Sequence, residues 1–225
     1  MKPVTKLLSW LIALSVPYLL MMTAIRLLIS PLFLQLEYNR PGFPTDTYGF
    51  TLEDRLKWGN LSIEYLLNDA DLSFLGDQTL EDGSPLYNER ELSHMLDVKV
   101  LIRQTLRIFY VALAAVLALG LWAWRGKWLD DYWNGLTRGG WLTAGLIASI
   151  LLLVLVSFRE LFTVFHRIFF TGDTWIFLYS DTLIRLFPLQ FWQDAFILMG
   201  AFSLAGALCL GFFGSKLARR TGKSQ

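Results

Sequence analysis

The run WLTAGLIASILLLVLVSF, residues 141–158, carries no charged side chain at any position. A helix needs about 20 apolar residues to cross the hydrocarbon core of a bilayer. A soluble domain would instead interleave its apolar residues at helix or strand period. Three further blocks behave like this one: Leu7 to Ile25, a run ending at Trp124, and Phe196 to Phe213. The expected fold is therefore an all-α integral membrane protein with four transmembrane helices. They are placed at about 7–30, 104–124, 141–161 and 194–214 of a single membrane domain spanning 1–225. The outer loops are then 35–103 and 162–193.

Composition agrees, with 54% hydrophobic residues and nine Trp in 225 positions and a mean hydropathy of +0.44. The one cysteine, Cys209, lies inside an apolar run, so no intrachain disulfide is possible. No CxxC or Cys/His cluster suggests a structural metal. No Gly-rich phosphate loop or basic stripe supports nucleotide or nucleic-acid binding. No cofactor is expected.

The first block follows Lys2 and Lys6 and has the general pattern of a signal peptide. It is long for one, and no small-residue cleavage site follows, so it is read as a retained helix. Its outer end carries Arg26, placed to snorkel to the interface or to face the bundle. The polar segment beyond it opens with the breakers Pro41-Gly42-Phe43-Pro44. Thr51 with Asp54 forms a capping-box start to an amphipathic helix whose aromatic member is Trp58. Residues 68–84 are turn-rich and acidic, and Asp82-Gly83-Ser84-Pro85 is a loop.

Asn88 and Glu91 read as an N-cap and its N3 partner. A helix starting there runs unbroken through His94 to Trp124, and Arg125-Gly126-Lys127 ends it. A short linker to Gly140 holds Asp130, Asp131 and Arg138. Beyond the third helix, residues 173–188 form a mixed loop. The fourth helix carries Ser203, Ala207, Gly211 and Ser215 at i+4 spacing, a stripe that permits close packing.

Charge sets the orientation. Lys2, Lys6, Arg125, Lys127, Arg138 and the tail residues Lys216, Arg219, Arg220 and Lys223 fall on one side of four crossings, with only Asp130 and Asp131 as acids. The opposite segments hold Asp54, Asp71, Asp82, Glu91 and Asp173. Both termini are expected inside and both histidines, His94 and His166, outside.

Those are the only two histidines in the chain. A histidine near the end of a membrane helix is commonly an interfacial polar residue without chemical duty. At 1.5 Å per residue, His166 lies about 10 Å beyond its apolar run and His94 about 15–20 Å before its own. That mismatch argues against an automatic meeting, which a tilted helix, or an apolar face at Leu101, Ile102 and Leu106 sinking deeper, could restore. Asp97 shares a helix face with His94 and could orient its imidazole, although its spacing suits a solvated charge equally. Phe162, Phe165, Phe169, Phe170 and Trp175 surround His166, either as an interfacial belt or as a lipid-facing mouth. A non-catalytic membrane partner and a bis-histidine haem protein remain as alternatives; colour in the purified protein would mark the second. The crossings carry almost no ionisable or helix-breaking features of the sort a transport path needs.

Three segments resemble the lipoprotein intramolecular transacylase (Lit) family. They are Ser93-His94-Met95-Leu96-Asp97-Val98-Lys99, then Phe165-His166-Arg167-Ile168-Phe169-Phe170 followed by Trp175, and Asp181-Thr182-Leu183-Ile184-Arg185-Leu186-Phe187-Pro188. The resemblance implies a bacterial cell-membrane enzyme with its active site facing outside. Its substrates are lipoproteins whose N-terminal cysteine carries a diacylglyceryl thioether. The sn-2 acyl chain moves to the cysteine's own α-amino group, giving a lyso-form lipoprotein. Partners are then these lipoproteins and membrane lipids. His94 and His166 are the implied acid and base, with Asp97, Asp181, Arg185 and Trp175 in support; Arg185 or Arg167 could hold a lipid phosphate or carbonyl, or serve as interfacial anchors. No serine or cysteine nucleophile sits in a motif, so direct transfer without an acyl-enzyme is expected.

Overall fold

The computed structural model describes residues 2–221, so Lys223 of the basic tail lies outside the described residues. The described chain is helical: α1 (Lys2–Leu28), α2 (Pro31–Tyr38), α3 (Leu52–Leu67), α4 (Ser73–Gly76), α5 (Glu89–Arg125), α6 (Leu129–Phe169), α7 (Thr182–Leu186) and α8 (Leu189–Thr221). Four of these, α1, α5, α6 and α8, are long and apolar enough to cross a membrane. Their apolar residues face outward over much of their length: Val111, Leu155 and Val156 are each more than 70% exposed. In water that surface would be costly, whereas lipid solvates it.

Two compact units divide the chain. One comprises residues 1–26, 106–156 and 197–225; the other comprises 27–105 and 157–196. In the first unit the packing depends on small residues. A Cβ on Gly140 would lie 2.7 Å from Ala207 O and 2.9 Å from Gly211 N, and one on Gly139 would lie 2.5 Å from Val16 Cβ. The small stripe of α8 thus admits the backbone of α6.

The same contacts explain a departure from expectation. Residues 129–140, read from sequence as linker, form the first turns of α6. The local glycines there make room for neighbouring helices rather than breaking their own. Asp130 and Asp131 occupy the first turn, where the helix dipole favours negative charge. The third helix is also interrupted: Ser157 has extended backbone angles (φ −158°, ψ 81°) between two helical parts.

The second unit has a core of its own. Trp58, Tyr65, Leu75, Leu86, Tyr87, Met95, Leu183 and Leu186 are buried together, drawn from α3, α4, the segment leading into α5, the start of α5 and α7. Thr51 and Asp54 form the expected capping box at the head of α3. The helix α2 starts on Ser30, whose hydroxyl accepts from Phe33 N, with Pro31 at its first turn. It buries Phe33, Leu34 and Tyr38 while exposing Leu32 and Leu36, a pattern suited to lying at a lipid surface. The Tyr38 hydroxyl donates to Leu186 O at 2.9 Å, tying α2 to α7. Residues 173–188, expected as loop throughout, thus contain one short helix, and the core holds it in place.

Candidate active site

The head of α5 is fixed by a reciprocal cap. Asn88 N donates to Glu91 Oε2 at 2.9 Å, and Glu91 N donates to Asn88 Oδ1 at 3.0 Å. Glu91 is only 1% exposed, and its other oxygen accepts Leu183 N at 2.6 Å. One buried carboxylate therefore both starts α5 and holds α7 against it. Thr182 Oγ1 adds a bond to Leu86 O. Asp181 completes the attachment: it accepts from Leu178 N at 2.8 Å, Asn88 Nδ2 at 3.1 Å and Arg90 Nη2 at 2.9 Å.

His94 follows one turn after Glu91 and is 8% exposed; His166, near the end of α6, is 7% exposed. Both belong to the second unit. Their ring centroids are 6.0 Å apart with planes 24° from parallel. The separation anticipated from helix rise does not occur. The two histidines are neighbours.

Aromatic rings enclose them. Phe170 lies 4.9 Å from His94 and 5.5 Å from His166, touching both. Phe162 and Trp175 pack on His166 at 4.1 and 5.0 Å, and Phe177 packs edgewise on His94 at 5.4 Å. Trp175 reaches His166 because Gly172, at φ +72°, turns the chain just after α6. The indole Nε1 then donates to Gly172 O at 3.1 Å.

The hydrogen bonds distinguish the two imidazoles. Nδ1–H of His166 donates to Phe162 O at 2.8 Å. A carbonyl only accepts, so Nδ1 carries the proton in the neutral ring and Nε2 presents a lone pair. Nδ1 of His94 is buried without a hydrogen-bond partner. Buried polar atoms are seldom left so. No cluster of three or more His, Cys, Asp or Glu exists among the described residues that could hold a metal ion.

The remaining residues named from sequence are placed as follows. Trp175 is against His166. Asp97 lies one turn beyond His94 but makes no hydrogen bond with its Nδ1. Asp181 acts on Asn88, Arg90 and Leu178, not on either histidine. Arg185 bonds Asp46 at 3.1 Å and Tyr48 O at 3.2 Å, and stacks over Phe50 at 3.4 Å. Phe177, Arg90 and the second role of Glu91 were not anticipated. The Asn88/Glu91 cap was legible, but nothing in its spacing says which distant amide the second carboxylate oxygen meets.

The family model described as lipoprotein intramolecular transacylase Lit matches residues 10–192. An uncharacterized protein of Aquifex aeolicus is 30% identical over 220 residues, which is 96% of this chain and 99% of that one. The solved structure of the membrane integral lipoprotein intramolecular transacylase Lit from Bacillus cereus has the same fold. Its TM-score is 0.81 at 18% identity, over 99% of this chain and all of that one. A histidine-to-alanine variant of the same Bacillus cereus protein aligns with a TM-score of 0.73 at 18% identity, over 99% of this chain and 97% of that chain. With its four membrane-length helices and the match over most of its length, the chain belongs to the lipoprotein intramolecular transacylase Lit family.

Proposed function

We propose that this protein moves the sn-2 acyl chain of a diacylglyceryl-cysteine lipoprotein onto the cysteine's own α-amino group at the outer face of a bacterial cell membrane. The observation that carries this reading is the pair of buried imidazoles 6.0 Å apart in a Lit-family chain. Both termini lie inside in this reading, following the basic inner segments.

The chemistry is an aminolysis. An α-ammonium has a pKa of about 7.7–8.0, so one proton must leave before the nitrogen can attack. Nε2 of His166 takes that proton, since its Nδ1–H is committed to Phe162 O. The free amine adds to the sn-2 ester carbonyl, forming the C–N bond. The oxyanion of the tetrahedral intermediate accepts a hydrogen bond from His94, whose Nδ1 is buried without a protein partner. Collapse breaks the ester C–O bond. The adduct nitrogen, cationic after attack, gives its second proton to solvent, and the sn-2 oxygen leaves with the first proton, returned by the His166 imidazolium, giving the amide and a free hydroxyl. Nucleophile and ester belong to one molecule, so a folded glyceryl arm supplies much of the rate as effective molarity. The aromatic walls suit the acyl chain and keep bulk water from competing with the amine.

The test uses a host that makes diacyl lipoproteins and lacks any N-acylating enzyme. Tandem mass spectrometry of an abundant lipoprotein's N-terminal lipopeptide locates the acyl chain, which intact mass cannot do. N-acyl fragments are expected with the wild type and none with His94→Ala or His166→Ala. Full N-acylation by either variant would remove the proposed mechanism.

A further inference from the structure

A second polar site lies away from the histidines, within the same unit. Pro44, Thr45, Asp46, Thr47, Tyr48, Arg55, Tyr179, Ile184, Arg185 and Pro188 enclose an open cavity of about 280 Å³. Its charges do not balance. Asp46 is fully engaged: it accepts from Phe50 N at 2.7 Å and Tyr48 N at 3.2 Å, and pairs with Arg185 at 3.1 Å. Arg55 is different. It is 7% exposed; among the described residues its guanidinium meets one acceptor, Pro44 O at 2.6 Å from Nη1, and it lies over the Phe43 ring at 5.4 Å. Its Nε is buried with no partner, and no carboxylate of the described residues comes within ion-pair distance of it. A buried cation held this way lacks the compensation that burial demands. With Asp46 and Arg185 cancelling, the cavity is left with one positive charge and unused N–H donors.

The flanks indicate where the missing anion comes from. Leu178 is 63% and Tyr179 81% exposed beside one wall, and Tyr48 and Leu52 are exposed beside the other. Exposed Leu and Tyr at the rim suit the headgroup level of a bilayer. The chain reaches this cavity shortly after α2, which presents Leu32 and Leu36 outward. An anion arriving here is carried by a lipid, and a cavity near the lower limit for ligand sites takes a headgroup rather than a folded partner.

We propose that Arg55 and Arg185, with the 44–48 segment, form a binding site for the phosphodiester headgroup of an anionic membrane phospholipid, separate from the histidine pair and independent of the acyl-transfer reading. Guanidinium groups match phosphate oxygens through paired N–H donors.

The test titrates the purified full-length protein in a neutral detergent with dihexanoyl phosphatidylglycerol, dihexanoyl phosphatidylcholine and inorganic phosphate, following binding by calorimetry. Saturable binding of phosphatidylglycerol at least tenfold tighter than of phosphatidylcholine is expected, with inorganic phosphate a poor competitor. Arg55→Gln should weaken it at least tenfold. Because removal of a buried arginine can disturb folding, Thr47→Glu is the second variant: Thr47 is exposed on the cavity wall, and a carboxylate there cancels the net charge. It should lower phosphatidylglycerol affinity comparably while leaving the melting temperature in place, and His94→Ala should leave lipid affinity unchanged. Equal affinity for the two lipids, competition by inorganic phosphate as strong as by phosphatidylglycerol, or undiminished binding by a folded Thr47→Glu protein would each overturn the proposal.

Discussion

Glu91 is the residue on which the geometry around His94 depends, and replacing it gives a quantitative test. Its carboxylate accepts Leu183 N at 2.6 Å and Asn88 N at 2.9 Å while almost fully buried. Glu91→Ala leaves the Leu183 amide without an acceptor in a place water barely reaches, since Leu183 is itself 6% exposed. Losing a hydrogen bond to a charged acceptor costs about 1.5–3 kcal/mol. At 1.4 kcal/mol per factor of ten, local opening of α7 should rise roughly 10- to 150-fold. Hydrogen exchange of the Leu183 amide reads this directly and should accelerate by that factor. Lyso-form production should fall as well, because α7 follows directly on the segment that holds Phe177 over His94. Glu91→Gln discriminates: its amide carbonyl can keep the Leu183 bond and give up the Asn88 half of the cap, so exchange at Leu183 should stay near wild type. Exchange within about twofold of wild type in a folded Glu91→Ala protein would refute the claim that this carboxylate docks α7.

Two further perturbations probe other parts of the fold. Glu37 is buried beside Asp194, and that burial, with the hydrogen bond between the two carboxyl groups, pushes its pKa up from 4.5 to about 7. The folded state therefore holds a proton the unfolded chain releases, so this stabilising contribution is present below pH 4.5 and is lost as pH rises through 7; thermal melts from pH 5 to 8 should show a fall that Glu37→Gln flattens. In the first unit, Gly140→Ala would press a Cβ to 2.7 Å from Ala207 O, a backbone atom that cannot swing aside, at a cost of about 1–3 kcal/mol. The melting temperature should drop by several degrees, whereas Gly145→Ala, with open space around the new methyl and the helical preference of alanine in its favour, should hold or raise it.

The four apolar runs were legible because a bilayer makes a demand on sequence that no folding partner can relax. Each backbone polar group must be satisfied within its own helix over a length fixed by the membrane. The caps at Thr51 and Asn88 were legible for a related reason: they join residues three apart. The linker before Gly140 was misread since glycine serves both as a breaker and as a site of close helix approach. Only the neighbour, Ala207 or Val16, decides between them. The break at Ser157 left no mark in a run of apolar residues.

Placement of the histidines shows where such reasoning stops. Counting helix rise measured each imidazole from the edge of its own apolar run, treating the membrane as the frame. The frame that matters is the second unit's own core. Met95 is buried in it beside His94, and Leu183 and Leu186 anchor the segment that supplies Phe177 and, through Gly172, Trp175. The contact of Phe177 with His94 joins residues 83 positions apart, and no local spacing encodes it. The same holds for Arg185. Its family-like motif suggested a supporting role near the reaction, whereas Asp46 and Phe50 hold it in the wall of the cavity beside Arg55. A motif fixes which side chains travel together along a helix. Their chemical neighbours are set by the far side of the core, and there Arg55, to which no motif points, is a buried cation with one backbone acceptor and the Phe43 ring beside it.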